Sequence, residues 1–328
     1  MAAISKVIFF GFNDITAGAA ALAAEVGFET LIVSNTSQAN RVTENGQSFN
    51  DAVLAAKAES IISDDITTPE VVKALGDMNS SVAISVGAPW IFTKEYIKDV
   101  LKGNILNLHG TKLPKDRGGT IYSWLIFMGH RTGMCLLHQL TDKIDRGVIV
   151  GYEEFIWSTA NRKPADYMKQ YATENVAFLG TFFNKIKAEG LEINDAIIPE
   201  YLSSYWPRLD ARINGWVNWD WSAQEIERFV CAFDDPYAGA RTRWNDKVII
   251  LKEAYSQATD GYTHPFQRGI VHRKNKNWIT ISANGGELIV CSVTDIEGND
   301  IKGQIKVGDI LYTTNEDLVQ TRTRVPKK

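Results

Sequence analysis

The chain has 328 residues, of which 45% are hydrophobic and 23% are charged, a composition typical of a globular protein long enough for two domains. Its 35 basic and 39 acidic residues give a net charge of −4 and a pI near 5.8, which argues against binding of nucleic acid. The first residues lack the features of a signal peptide, and no apolar run approaches the ~20 residues of a membrane-spanning helix. We therefore expect a cytoplasmic protein without membrane contact.

Cysteine and histidine spacing gives no sign of a disulfide framework or a metal site. Cys135, Cys231 and Cys291 lie far apart inside apolar runs, so buried free thiols are expected. The five histidines are scattered, and neither HExxH nor CxxC occurs. The sequence thus predicts no metal.

The first half of the chain alternates between short β-branched runs and helix-like segments. The predicted strands are KVIFFGF, ETLIVSN, ESIISD, VAISVG and NILNLHG, and the predicted helices between them are AGAAALAAEVG, TPEVVKALGDM and TKEYIKDVLKG. Thr68 before Pro69 indicates a helix start. The strands MCLLHQL and RGVIVGYEEF follow, and then a long helix ending at Gly190. This order predicts an α/β, Rossmann-like, mostly parallel sheet with helices on both faces.

The second half has a different pattern, with short strands separated by turns. After a loop through INDAIIPEYLSSYWPRLDARING, the predicted strands lie in RTRWNDKVIILKEA, QRGIVHRK, NWITISANGGELIVCSVT and IKVGDILYT. One helix is expected at SAQEIERFVCAF, where Ser222 and Glu225 have capping-box spacing, and RTRVPKK is expected to be a loose tail. We predict a Rossmann-like domain over residues 1–203 and a smaller β-rich C-terminal domain over residues 204–328.

The turn after the first strand, IFFGFNDITAG, invites comparison with dinucleotide-binding proteins. Its glycines do not form G-x-G-x-x-G, and the second strand ends at Asn35 without an acidic residue for the ribose. An NAD enzyme is therefore not expected. The turn residues Phe12 and Asn13 are candidate substrate contacts, and an ordinary βα turn is the alternative.

The stretch ILNLHGTKLPKDRGGT, residues 105–120, contains the first candidate catalytic groups. Because alternate residues of a strand share a face, Asn107 and His109 project together at the end of an apolar strand. The later segment LLHQLTDKIDRGVIV adds Asp142 and Asp145 on a loop. A lone strand-end histidine is usually structural and D-x-G is usually a turn, but their combination predicts a site.

These two segments together resemble the signature of the 10-formyltetrahydrofolate-dependent formyltransferases. The resemblance is carried by NLHGTKLPKDRGG and HQLTDKIDRGVI, in the order and at the approximate separation of that family. It implies a catalytic trio of Asn107, His109 and Asp145 on a Rossmann-like domain. WIFTKEYI, GGTIYSW, SYWPRL and FDDPYAGA resemble the sugar-nucleotide branch more than the methionyl-tRNA branch.

The chemistry of formyl transfer explains the residue types of the trio. An amine attacks the formyl carbon, a tetrahedral intermediate carries negative charge on oxygen, and the folate nitrogen leaves with a proton. Asn107 can donate to the oxyanion, and His109 is the expected base. Asp145 could orient the imidazole or move protons through a water, and the sequence leaves both roles open.

The resemblance also suggests ligand contacts. In the family, loops after the fourth strand and before the catalytic aspartate meet the pterin, and the corresponding candidates are Trp90, Ile91, Leu140, Thr141 and Asp142. Trp90 and Ile91 could instead be core residues at a helix entry. Lys115 and Arg117, with the adjacent Gly118, could bind a nucleotide phosphate, the alternative being a solvated loop. His138 is expected to be a structural hydrogen-bonding residue, the alternative being a catalytic role.

The function implied is transfer of a formyl group from 10-formyltetrahydrofolate to the amine of a nucleotide-linked amino-dideoxy sugar. The family suggests a dTDP-sugar destined for surface polysaccharide such as lipopolysaccharide O-antigen, and a homodimer. The first alternative is a methionyl-tRNA formyltransferase, which the slightly acidic composition disfavours. The second is a folate- or nucleotide-binding protein without transfer activity.

Overall fold

The computed structural model describes residues 4–193, 200–259 and 263–325, and the chain divides into two compact units. Unit 1 comprises Met1–Arg117, Thr132–Ile156 and Lys169–Tyr205. Unit 2 comprises Gly118–Arg131, Trp157–Met168 and Trp206–Lys328. Two short segments that precede residue 203, Gly118–Arg131 and Trp157–Met168, thus belong to unit 2.

Unit 1 is built on a seven-stranded sheet of order β3-β2-β1-β4-β5-β7-β8. Its strands are β1 (Lys6–Phe10), β2 (Glu29–Ser34), β3 (Glu59–Ile62), β4 (Ser81–Ser85), β5 (Ile105–His109), β7 (Thr132–Gln139) and β8 (Ile149–Ile156). The two-residue strand β6 (Arg117–Gly118) lies between β5 and β7 in the chain but is not part of this sheet. The first five strands are parallel, whereas β7 is antiparallel to β5 and β8 to β7. The predicted mostly parallel sheet is confirmed.

Helices cover both faces of this sheet. In chain order the helices up to residue 189 are α1 (Asp14–Glu25), α2 (Thr36–Ala39), α3 (Phe49–Ala55), α4 (Pro69–Leu75), a π-helical segment (Tyr96–Val100), α5 (Ile121–Met128, in unit 2) and α6 (Pro164–Glu189). The hydroxyl of Thr68 accepts from the Val71 amide at the start of α4, and Gly190 follows the end of α6, as predicted.

The apolar residues of β1 show how the two faces are filled. Ile8 and Phe10 join a buried cluster with Val71 and Leu75 of α4, whereas Phe9 points to the opposite face. There Phe9 meets Phe183 of α6 edge to face, with ring centroids 6.1 Å apart. Burial on both faces accounts for the continuous apolar run KVIFF.

Unit 2 contains a five-stranded antiparallel sheet of order β10-β11-β14-β13-β12. The further elements among the described residues from 200 onward are a 3₁₀ turn (Glu200–Leu202), β9 (Tyr205–Trp206), α7 (Ala211–Asn214), α8 (Ala223–Ala232), β10 (Ala240–Trp244), β11 (Lys247–Ala258), a 3₁₀ turn (Pro265–Gln267), β12 (Val271–Lys274), β13 (Ile279–Ala283), β14 (Gly286–Thr294) and α9 (Asn315–Gln320). The capping box of Ser222 and Glu225 begins α8 as predicted. The predicted β-rich architecture is confirmed.

Some details differ from the sequence expectation. IKVGDILYT forms no strand and makes only isolated bridges, from Ile310 to Ile270 and from Tyr312 to Arg243. All three cysteines are free, but Cys291 is partly exposed rather than buried. Residues 194–199 of the predicted loop and 326–328 of the predicted tail lie outside the described residues. No helix in the described part of the chain is long and apolar enough to span a membrane.

Candidate active site

The site begins with the last residues of β5. Leu106 and Leu108 are buried on one face of the strand, which leaves Asn107 and His109 together on the other. The side chain of Asn107 is half-buried, whereas His109 is only 7% exposed. A buried imidazole beside a carboxamide is thus placed by strand periodicity alone.

His138 of β7 joins these two residues because β7 pairs with β5. The register sets Asn107 opposite His138, and the Asn107 Nδ2 donates to His138 Nε2 over 3.1 Å. His138 Nδ1 lies 3.0 Å from the Gln139 carbonyl oxygen, which can only accept, so Nδ1 carries the hydrogen in this arrangement. Burial lowers the pKa of His138 to about 4, with a further lowering by His109. The ring is therefore neutral at pH 7.

Asp145 reaches the same place from the loop between β7 and β8. Its Oδ1 lies 3.6 Å from His109 Nδ1 and 3.8 Å from His138 Nε2. The Arg117 Nε donates to the main-chain oxygen of Asp145 over 3.0 Å, and Arg117 is itself only 5% exposed. The trio predicted from the sequence is thus brought together, with Arg117 holding the loop that carries Asp145.

The loop also requires a glycine two residues after Asp145. A Cβ on Gly147 would lie 1.5 Å from the Gln139 main-chain oxygen, so a side chain there would force the two segments apart. Asp145 itself has φ +51, in the left-handed region that aspartate tolerates better than most residues. The D-x-G spacing follows from these two backbone constraints.

The other ring nitrogen of His109 faces the loop after β5. Its Nε2 lies 2.9 Å from the hydroxyl of Thr111, and that hydroxyl lies 2.8 Å from the main-chain oxygen of Asp116. Burial lowers the pKa of His109 from its ordinary value, although the nearby Asp145 charge opposes this shift. The imidazole is therefore neutral near pH 7, as a proton acceptor must be.

His109, His138 and Asp145 are the one group in the described ranges that could hold a metal ion. A donor atom from each lies within 4.8 Å of the others. Two imidazole nitrogens and a carboxylate oxygen are ligands that Zn²⁺ accepts. The sequence did not indicate this set, because the three residues are separated in the chain.

The residues predicted to meet folate lie in two loops. The Trp90 ring packs edge-on against Phe10, with centroids 6.1 Å apart, and its Nε1 donates to the Asp64 carbonyl. Ile91 beside it is 89% exposed. Trp90 and Leu140 are half-buried against the same apolar cluster, Thr141 is half-buried, and Asp142 is exposed. A folate role for these residues stays a prediction.

The residues predicted to bind the nucleotide sugar occupy different environments. Phe12 is buried against Phe49, and the side-chain oxygen of Asn13 caps α1. Lys115 is exposed, whereas the Arg117 guanidinium, besides its bond to Asp145, donates to the Ser203 hydroxyl. Gly118 has φ +116, and a Cβ on it would lie 2.0 Å from the Trp206 oxygen. Their roles toward substrate stay predictions.

His138 has the hydrogen-bonding role expected from the sequence, but the sequence did not identify its partner, and it did not indicate Thr111 as part of the site. His138 enters through antiparallel pairing with Asn107, and Thr111 through a hydroxyl two residues after His109. The sequence signals for these two residues were the polar His138 in the segment HQL and the polar Thr111 in the segment HGT. Neither identifies a partner without the strand register.

Comparison with known proteins now identifies the family. The model of the formyl transferase family matches residues 6–179, and the model of the formyl transferase C-terminal domain matches residues 212–305. The bifunctional polymyxin resistance protein ArnA of Wigglesworthia glossinidia brevipalpis is 26% identical over 311 residues. That alignment covers 91% of this chain but 46% of ArnA, so the chain spans about half the length of this relative.

Two further proteins are similar over most of their length. A methionyl-tRNA formyltransferase of Agathobacter rectalis is 24% identical over 306 residues, covering 88% of this chain and 91% of the relative. The crystal structure of an N-formyltransferase from Helicobacter canadensis, in complex with folinic acid and dTDP-3-aminofucose, superposes with a TM-score of 0.68. It covers 88% of this chain and 99% of its own at 18% identity, which shows a shared fold. The chain belongs to the formyl transferase family.

Proposed function

We propose that this protein transfers a formyl group from 10-formyltetrahydrofolate to the amine of a nucleotide-linked amino-dideoxy sugar, with a dTDP-sugar as the preferred substrate. The observation that carries the proposal is the arrangement of Asn107, His109 and Asp145 in a chain of the formyl transferase family. An amide donor, a neutral buried imidazole and a carboxylate are the groups that acyl transfer to an amine needs.

The reaction uses these groups in sequence. The amine nitrogen bonds to the formyl carbon, and the carbonyl electron pair moves onto oxygen, where an N–H of Asn107 stabilises the negative charge. His109 takes a proton from the attacking nitrogen, and the neighbouring Asp145 carboxylate stabilises the imidazolium. The bond from carbon to N10 of the folate then breaks as N10 gains a proton. Formylated amine and tetrahydrofolate result.

The sugar acceptor is supported by a structural neighbour and by charge. The Helicobacter canadensis protein, similar in fold over nearly all of its length, was crystallised with folinic acid and dTDP-3-aminofucose. A net charge of −4 does not favour attraction to tRNA. Exposed Lys115, next to the buried Arg117, is available to meet a nucleotide phosphate. Trp90, Ile91, Leu140, Thr141 and Asp142 are proposed to line the folate site.

A second candidate is methionyl-tRNA formylation. The observation in its favour is the Agathobacter rectalis relative, whose alignment covers 91% of that enzyme. The two acceptors differ greatly in size and charge, so a direct comparison distinguishes them.

The test is mass spectrometry of amines incubated with purified protein and 10-formyltetrahydrofolate. The panel contains dTDP- and UDP-linked amino sugars and methionyl-tRNA. A gain of one formyl group on a dTDP-sugar supports the proposal, and formylation of the tRNA alone replaces it with the second candidate. No product from any amine would mean a folate- or nucleotide-binding protein without transfer activity.

Variants tie the activity to the site. His109→Asn and Asp145→Asn are expected to eliminate turnover while the far-ultraviolet circular dichroism stays unchanged. His130→Asn is the matched control, because His130 is exposed and lies in unit 2. Near wild-type kcat in His109→Asn would mean that the trio is wrongly assigned.

A further inference from the structure

Thr111 lies buried beside the imidazole of His109 in a position to control its hydrogens. The residue is only 4% exposed, and its hydroxyl oxygen is 2.9 Å from His109 Nε2 and 2.8 Å from the Asp116 carbonyl oxygen. Both distances are typical of hydrogen bonds. The hydroxyl therefore stands between a fixed acceptor and a ring nitrogen that can either donate or accept.

Counting hydrogens decides the direction of these two bonds. A threonine hydroxyl has one hydrogen, and a main-chain carbonyl oxygen can only accept. Thr111 must therefore give its hydrogen to Asp116, and it can bond to His109 only by accepting a hydrogen from Nε2. The opposite tautomer would leave two buried acceptors competing for one hydrogen, which costs free energy.

We propose that Thr111 is a positioning residue that holds His109 in the Nε2–H tautomer, so that Nδ1 is the atom that accepts the amine proton. Nδ1 faces Asp145 Oδ1 at 3.6 Å, beyond hydrogen-bonding distance, as expected when no hydrogen lies between them. This inference rests on the proposed function, which supplies the amine.

The proton balance follows from this assignment. As the amine nitrogen bonds to the formyl carbon, one of its hydrogens moves to Nδ1, and the new imidazolium has an N–H on each nitrogen. Nε2–H remains bonded to Thr111, and the new Nδ1–H faces the Asp145 carboxylate, whose negative charge 3.6 Å away stabilises the imidazolium. Nδ1 returns the proton to N10 as the carbon–N10 bond breaks, which restores the neutral tautomer.

The charged groups around His109 agree with this direction of transfer. Asp145 and Asp116 favour the imidazolium, while Arg117 and burial oppose it. His138 also lies close, with ring centroids 5.9 Å apart, but it is neutral and bonded to Asn107. Asp145 is thus the acidic group whose charge faces Nδ1 and stabilises the protonated ring.

The test uses two conservative substitutions that separate the hydroxyl of Thr111 from its methyl group. Thr111→Val removes the hydroxyl and keeps the branching, so Nε2 loses the acceptor that Thr111 supplies and keeps only the main-chain oxygen of Asp116 nearby. The hydrogen is then expected to shift toward Nδ1, next to Asp145. Thr111→Ser keeps the hydroxyl and serves as the control. Since general bases contribute about 10²–10⁴-fold to rate, we expect kcat to fall at least about 10²-fold in Thr111→Val. The serine variant should stay close to wild type.

The tautomer itself is read by two-bond ¹H–¹⁵N NMR of the ligand-free, ¹⁵N-labelled protein at pH 7.5. The signals of His109 are identified by their absence from His109→Asn. Wild type and Thr111→Ser are expected to carry the hydrogen on Nε2, and Thr111→Val to shift it toward Nδ1. A loss of kcat that came only from altered packing would leave the tautomer of Thr111→Val unchanged.

The outcomes separate this inference from the proposed function. A hydrogen on Nδ1 in the wild-type protein, or a valine variant with unchanged tautomer, would overturn the role of Thr111 even if a sugar is formylated. If no amine in the panel is formylated, the proposed function fails, while the NMR result still reports whether Thr111 sets the tautomer.

Discussion

Gly147 offers a test of how precisely Asp145 must be placed. In Gly147→Ala the new Cβ would lie 1.5 Å from the Gln139 main-chain oxygen, whereas ordinary contact begins at 3.4 Å. The loop and the end of β7 must therefore separate by roughly 2 Å to restore van der Waals contact. Because Gly147 follows Asp145 by two residues, the carboxylate moves with the loop. A misplacement of about 1 Å can cost about 10²-fold in rate, so we expect kcat to fall by at least that factor.

The assay is formyl transfer at saturating substrate, with urea unfolding of the same preparation to exclude loss of folded protein. Gly303→Ala is the matched control, because a Cβ there meets no atom within 4 Å and the residue has no positive φ. The control should retain both kcat and stability. Wild-type kcat in Gly147→Ala would refute the reasoning, because it would show that the loop absorbs the methyl group without moving Asp145.

Three further predictions concern Asn107, His109 and His138. Asn107→Ala should lower kcat by about 10²–10³-fold with little change in KM, as for loss of one oxyanion donor, and a rise in KM alone would contradict that role. The pH profile of kcat should have its acid limb below pH 6.5, because burial lowers the pKa of His109 and the neutral ring is the active form; a limb above pH 6.5 would contradict this. The pKa of His138 is lowered to about 4, so between pH 6.5 and 4 the unfolded state binds more protons. The free energy of unfolding measured in urea should therefore fall as the pH falls through this window, by up to about 1.4 kcal/mol per pH unit, and His138→Gln should reduce the slope.

The sequence by itself determined the local features of this protein. Alternating strands and helices predicted the parallel sheet, and a two-residue period along β5 placed Asn107 and His109 on one face. Capping residues such as Thr68 and Ser222 located helix starts, since the bonds they make span only three residues. The resemblance of two motifs to the formyl transferase family predicted the trio, whose catalytic role stays a prediction.

Only the tertiary structure decided how separate segments meet. His138 reaches Asn107 through the antiparallel register of β5 and β7, and Arg117 turns inward to the Asp145 backbone. The segment Gly118–Arg131 belongs to unit 2, where Phe127 stacks on Phe229. IKVGDILYT, apolar enough for a strand, makes only isolated bridges. These features depend on contacts between residues tens to hundreds of positions apart, and neither propensity nor spacing records which distant partner a side chain will meet.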